Sequence, residues 1–188
     1  KPDVPRLALV ADMHFDHQGQ MTASEFYEGV ILSHARVTYG EAQEVIEGRT
    51  PSNLKHVAGN IKLSADLARI LMAKRFREGS LDLEMPETEI QIDDTGNPVD
   101  VIQTERLFAH RLIEEMMLMA NVAVDKFFKD QEMEAIYRVH EEPRAEAMQN
   151  FANFLKAFGY KTKLSGGHLQ TKITKALHKN VRGFFSFP

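Results

Sequence analysis

The sequence predicts an α+β fold, a mixed sheet combined with long helices, and three patterns carry that prediction. From Thr104 to Lys129 apolar residues recur at the spacing of one long helix. From Arg6 to Phe15 residues alternate as in a half-buried strand, with Leu7, Leu9, Ala11, Met13 and Phe15 on one side and Arg6, Ala8, Val10, Asp12 and His14 on the other. Between Ile90-Gln91-Ile92 and the run Val99 to Ile102, the tetrapeptide Asp94-Thr95-Gly96-Asn97 is a turn of the kind that joins two strands.

Taken in order, the strand from Arg6 to Phe15 turns at Asp16-His17-Gln18-Gly19 and returns as Gln20 to Val30. Asp12, His14, Asp16 and His17 are metal-ligating residue types, but strand geometry points His17 away from the other three, and a solvated hairpin edge accounts for them better. Thr38 and Glu41 form a capping box that opens a short helix closed by Gly48, with Ala42, Val45 and Ile46 inward and Tyr39 in its first turn. Past Pro51 a second helix runs to Arg77 and ends at Gly79. It buries Leu54, Val57, Ala58, Ile61, Ala65, Ala68, Met72 and Phe76. Leu81 and Leu83, then Ile90 and Ile92, alternate as strands, and Val99 to Ile102 is another.

The central helix divides by face. Leu112, Ile113, Met116, Met117, Met119, Ala120, Ala123, Val124 and Phe127 share a broad apolar side, while His110, Glu114, Asn121 and Asp125 line the other. Leu118 and Val122 fall among the polar line, so Glu114 is a candidate to border a partly wet groove. Periodicity alone favours reading His110, Arg111, Glu114 and Glu115 as a charged outer face with i,i+4 pairs. Beyond it, Ile136 to His140 is an expected strand, and Pro143 starts a helix with Met148, Phe151, Leu155 and Phe158 inward, capped by Gly159. Only Ser165-Gly166-Gly167 has the composition of a linker.

Composition narrows the class. The chain has 188 residues, 43% hydrophobic and 27% charged, enough for one domain with a core. It has no Cys, which excludes disulfide frameworks and thiolate metal sites. The longest apolar run, Met116 to Val124, is broken by Asn121 and too short to span a bilayer, and a cytoplasmic setting is expected. Charge is asymmetric: every Asp and Glu lies at or before Glu146, whereas Tyr160 to Pro188 carries six Lys or Arg and no acid, a net of +6 against −10 for the rest. With Phe184, Phe185 and Phe187, that tail suits either single-stranded nucleic acid or a helix with an acidic partner elsewhere.

Four blocks carry a resemblance: FYEGVILSHARVTYGEAQEVIEG from Phe26, GSLDLEMPETEIQIDDTGNPVDV from Gly79, HRLIEEMMLMANVAV from His110 and YRVHEEP from Tyr137. In that order, over about Pro5 to Gly159, they resemble the RNB catalytic domain of the ribonuclease II and ribonuclease R family of 3′-to-5′ exoribonucleases. The resemblance implies that residues 1–159 are the central part of such a domain, with 160–188 a basic tail. It implies hydrolysis of RNA to 5′-nucleoside monophosphates, with Mg²⁺ held mainly by an aspartate cluster outside this chain. The partners it implies are single-stranded RNA and the remaining parts of the parent chain.

Residue by residue, the resemblance places Tyr39 and Glu114 at the ribose of the RNA and Leu83 where some members stack a phenylalanine on a base; leucine there has no π-face. No residue of the metal-binding set falls within the chain, Glu114 being the nearest catalytic candidate. Asp93-Asp94 sits in a hairpin turn and does not replace that set. The isolated chain is therefore expected to be inactive. The alternative is a non-catalytic RNA-binding or interaction module built on the same fold.

Overall fold

A computed structural model describes residues 2–80, 87–104, 106–139, 141 and 143–157, and these contain four strands and four α-helices. The described residues of 1–74 and 84–134 form one compact unit, and those of 75–83 and 135–157 a second. In the first unit β1 (Pro5–Phe15) pairs antiparallel with β2 (Met21–Leu32). The α1 helix (Tyr39–Ile46) follows, then a 3₁₀ turn at Ser52–Leu54 and α2 (Ala58–Arg77), which continues into the second unit. The antiparallel hairpin β3 (Glu87–Ile92) and β4 (Pro98–Thr104) precedes α3 (Phe108–Asp130). The second unit contains α4 (Ala145–Ala157).

The α+β class holds, but among the described residues the strands form two separate antiparallel ribbons rather than one mixed sheet. Each expected turn is present. Asp16 Oδ1 accepts the Gln18 and Gln20 backbone N–H groups, both at 2.8 Å, and Asp93 Oδ1 accepts those of Thr95 and Asn97, both at 2.9 Å. Short Asx side chains replace backbone partners at such corners. These bonds hold both carboxyls below the usual aspartate range, chiefly through the Gln20 amide for Asp16 and the Thr95 hydroxyl for Asp93.

The core lies between helices. Ala65 and Ala68 of α2 meet Leu112 of α3, with Ile46, Phe108 and Met116 packed around them. Two alanines one turn apart let the helix backbones approach closely. The sequence-based inward set of α2 is buried or half-buried throughout, and Leu71 joins it. Phe127 of α3 contacts Phe26 of β2, ring centroids 5.1 Å apart, which ties the far end of the helix to the first ribbon.

Four expectations are corrected. In β1, Leu7 and Leu9 are 89% and 85% exposed: the half-buried side is Ala8 and Val10 in the first half, then Ala11, Met13 and Phe15. Pairing is unbroken between Val10 and Ala11, so the exchange of faces reflects the strong twist of a two-stranded ribbon rather than a register slip. In α3 the buried stripe is narrower than predicted. It follows Ala109, Leu112, Met116, Met119 and Ala123, and leaves Ile113, Met117, Val124 and Phe127 partly or largely exposed. The helix also starts at Phe108, because Thr104 still belongs to β4. Lastly, residues 136–139 are irregular and Ile136 is fully exposed; with no partner strand among the described residues, an apolar alternation there has no ladder to join. His140, Leu81, Leu83, Phe158, Gly159 and the basic tail lie outside the described residues.

Gly19 shows how closely the first ribbon is fitted. Its φ of +77° is left-handed, and a Cβ there would sit 3.0 Å from Ile70 Cγ2 of α2. From the same helix, Lys74 Nζ donates to the Gly19 carbonyl at 3.2 Å and to Gln20 Oε1 at 2.9 Å. Gly19→Ala should therefore lower stability by about 1–2 kcal/mol, the cost of a left-handed conformation with a Cβ. The check is the urea midpoint at constant m-value, and an unchanged midpoint would contradict it.

Candidate functional site

Thr38 has extended backbone and caps α1. Its hydroxyl accepts the Glu41 N–H at 3.3 Å while Glu41 Oε2 accepts the Thr38 N–H at 2.9 Å, the reciprocal bonds of a capping box. Tyr39, the first residue of that helix, is thereby held at its rim, 47% exposed.

The start of α3 lacks such a cap of its own. Leu107, its N-cap residue, has no side-chain acceptor, and the first N–H groups of a helix have no intrahelical partner. Two side chains supply the acceptors. His110 Nδ1 reaches back to accept the Leu107 N–H at 3.1 Å, and Gln43 Oε1 of α1 accepts the Ala109 N–H at 3.1 Å. Acceptance at Nδ1 leaves the neutral imidazole's proton on Nε2. Gln43 in turn donates to Glu47 Oε1 at 2.8 Å, and Glu47 pairs with Arg49; the Gln43 bond first, then Arg49, holds the Glu47 carboxyl below its usual range.

This docking sets Tyr39 of α1 against His110 of α3. The Tyr39 ring stacks on the His110 ring, with centroids 4.1 Å apart and planes 28° apart. Glu114 lies one turn further along α3 on the same side as His110 and is paired with Arg106. Its side chain is 41% exposed. An ionised carboxylate has roughly four acceptor sites, so pairing with one guanidinium leaves capacity for a hydroxyl. The cluster thus presents a phenol from α1 and a carboxylate from α3 at a half-exposed edge.

Sequence reasoning missed three members of this cluster. Period groups His110 with Glu114, yet its contact with Tyr39 arises from helix docking. Gln43 and Arg106 carried no signal, since their partners Ala109 and Glu114 lie on other segments. Glu115, grouped with the charged face, is instead 1% exposed. Leu83 lies outside the described residues.

Among the described residues, the acids near the candidate site and in the turns do not compose a divalent cation site. Glu114 is engaged by Arg106, Glu115 points into the interior, and the Asp16 and Asp93 carboxylates are occupied by their turns. Asp12 and His14 are exposed, 3.7 Å apart. Among the described residues no three His, Asp or Glu side chains cluster as ligands, and no helix is long and apolar enough to cross a membrane.

The capping box makes a pH prediction. Its hydrogen bonds, the Thr38 N–H first, lower the Glu41 pKa below the ordinary 4.5. A depressed carboxyl stabilises the fold above its unfolded value, and that contribution is lost as pH falls through the lower folded value. The Thr38 amide resonance should therefore titrate with a midpoint below 4.5. A midpoint at or above that value would show that the box does not form.

Comparison with known proteins covers the whole of this arrangement. The RNB domain family model matches residues 1–184. Ribonuclease R of Aquifex aeolicus is 37% identical over 165 residues, covering 87% of this chain and 23% of that protein. Ribonuclease R of Thermotoga maritima is 34% identical over 178 residues, 93% of this chain and 25% of that protein. The chain thus spans about a quarter of the length of these relatives. In fold it is similar to Mycoplasma genitalium RNase R, solved in complex with ribose methylated single-stranded RNA. The TM-score is 0.85 and the identity 24%, over 96% of this chain and 28% of that one.

Proposed function

We propose, from the premise that this chain belongs to the RNB domain family of exoribonucleases, that it is the central part of a 3′-to-5′ exoribonuclease domain whose metal-binding carboxylates lie outside it. In this reading the chain forms the wall of the RNA channel and reads the sugar, while hydrolysis to 5′-nucleoside monophosphates is completed by the rest of the parent protein. Mg²⁺ is the cofactor the family implies. The described acids do not compose its ligand set, so no step of the reaction is assigned to them. The setting is the cytoplasm, and the partner is single-stranded RNA.

What supports the assignment to sugar recognition is the juxtaposition of Tyr39 and Glu114 through His110. Ribose differs from deoxyribose only in its 2′-OH, which both donates and accepts. Glu114 accepts from that hydroxyl, and the Tyr39 phenol can donate to it or accept from it. Pairing with Arg106 leaves Glu114 acceptor capacity for a hydroxyl, and half-exposure gives a strand end access to both groups.

A hydrogen bond to a charged group contributes about 1.5–3 kcal/mol, roughly tenfold to a hundredfold in affinity. In the full-length parent, Glu114→Ala should narrow the preference for RNA over DNA by about that factor, and Tyr39→Phe by less. The measurement is degradation rate on matched ribo- and deoxyribo-oligonucleotides. A double variant that discriminates as well as wild type would remove both residues from the site.

The isolated chain should not shorten RNA. Glu114 and Glu115 are adjacent on a helix, about 100° apart, and cannot together hold one cation. With Mg²⁺ or Mn²⁺ and a 3′-overhanging RNA labelled at its 5′ end, no product ladder is expected. A ladder abolished by chelator and retained after Asp93→Asn and Asp94→Asn would place the catalytic centre inside this chain. RNA binding without activity in the full-length parent would instead favour a non-catalytic RNA-binding module.

A further inference from the structure

We propose that His110 is the positioning residue of the sugar-reading site, holding the Tyr39 ring so that its phenol is fixed relative to Glu114. The inference rests on the sugar-reading assignment of Tyr39 and Glu114 and adds a third residue that touches neither RNA nor metal. Tyr39 sits at the first position of a helix of eight residues and is 47% exposed, so its ring needs an external surface to define its orientation. That surface is the His110 imidazole, its centroid 4.1 Å away and its plane inclined by 28°.

The imidazole is itself restrained at both ends. Its backbone belongs to the first turn of α3, and its Nδ1 is bonded to the Leu107 N–H at 3.1 Å, which sets the plane of the ring. Glu114 follows one turn later on the same helix. A ring fixed on α3 therefore transmits the position of α3 to a phenol carried by α1. The Gln43 to Ala109 bond at 3.1 Å tethers the same two helices and keeps the stack from sliding. A preorganised phenol does not lose rotamer freedom when the ribose arrives, whereas an unstacked one does.

His110 has two separable roles, and two substitutions separate them. His110→Gln places at the third helical position a side chain that can still accept the Leu107 N–H, as capping-box residues do, but removes the ring. His110→Phe keeps a ring for Tyr39 and removes the acceptor. The experiment compares both variants with Glu114→Ala and Tyr39→Phe in the full-length parent. It reads thermal stability and the ratio of kcat/KM for ribo- over deoxyribo-oligonucleotides.

His110→Gln is expected to lower that ratio by about two- to tenfold with stability retained, the range that follows from freeing one side chain. His110→Phe should lose stability while keeping the ratio. The reverse order, with the ratio spared by Gln and reduced by Phe, would make His110 a helix cap alone and overturn the proposal. Reduced ratios in Glu114→Ala and Tyr39→Phe with an unchanged ratio in His110→Gln would overturn the His110 role and leave the sugar-reading assignment standing. Unchanged ratios in Glu114→Ala and Tyr39→Phe would overturn both.

Discussion

The start of α3 is the constraint on which the site depends. A helix of 23 residues begins there behind a leucine, whose side chain cannot accept a hydrogen bond, at a place half-covered by protein. Buried backbone donors left unpaired are costly, about 1–3 kcal/mol each, so the acceptors must come from elsewhere. His110 supplies one from within the helix and Gln43 supplies the other from α1. The need to satisfy those amides thus recruits a second helix to one end of the first. Tyr39 stacks on His110, one turn before Glu114, as a consequence.

Packing reinforces the same junction. Arg69 of α2 lies over the Phe108 ring, 4.9 Å from its centroid, so the first residue of α3 is covered from a third helix. Below it Ala65 and Ala68 admit Leu112. The ion pairs further along α3, Asp125 with Lys129 and Lys126 with Asp130, are exposed i,i+4 contacts that add only a few tenths of a kcal/mol each. The helix start, by contrast, combines part-buried hydrogen bonds with apolar packing.

The periphery is different in kind. Leu7, Leu9 and Val30 lie open on the first ribbon, and Ile90, Ile92, Val99 and Val101 on the second. Leu7 pairs with Val30 across the strands, so those two form a contiguous apolar surface.

Features that depend on near neighbours are legible in the order of the residues. The capping box at Thr38 and Glu41, the turns at Asp16 and Asp93, the glycines that end α1 and α2, and the inward stripe of α2 are all set within a few residues. The four motif blocks were legible for the same reason and pointed to the family. Features that depend on which surfaces meet are not legible there. Period alone cannot rank the two flanks of an apolar stripe, so Ile113 and Met117 were expected inside and Glu115 outside, when the partner helices cover the other flank. Nor can period show that a half-exposed tyrosine and a histidine 71 positions later stack ring on ring. That contact is made by helix docking, and docking follows from distant groups completing one another's hydrogen bonds.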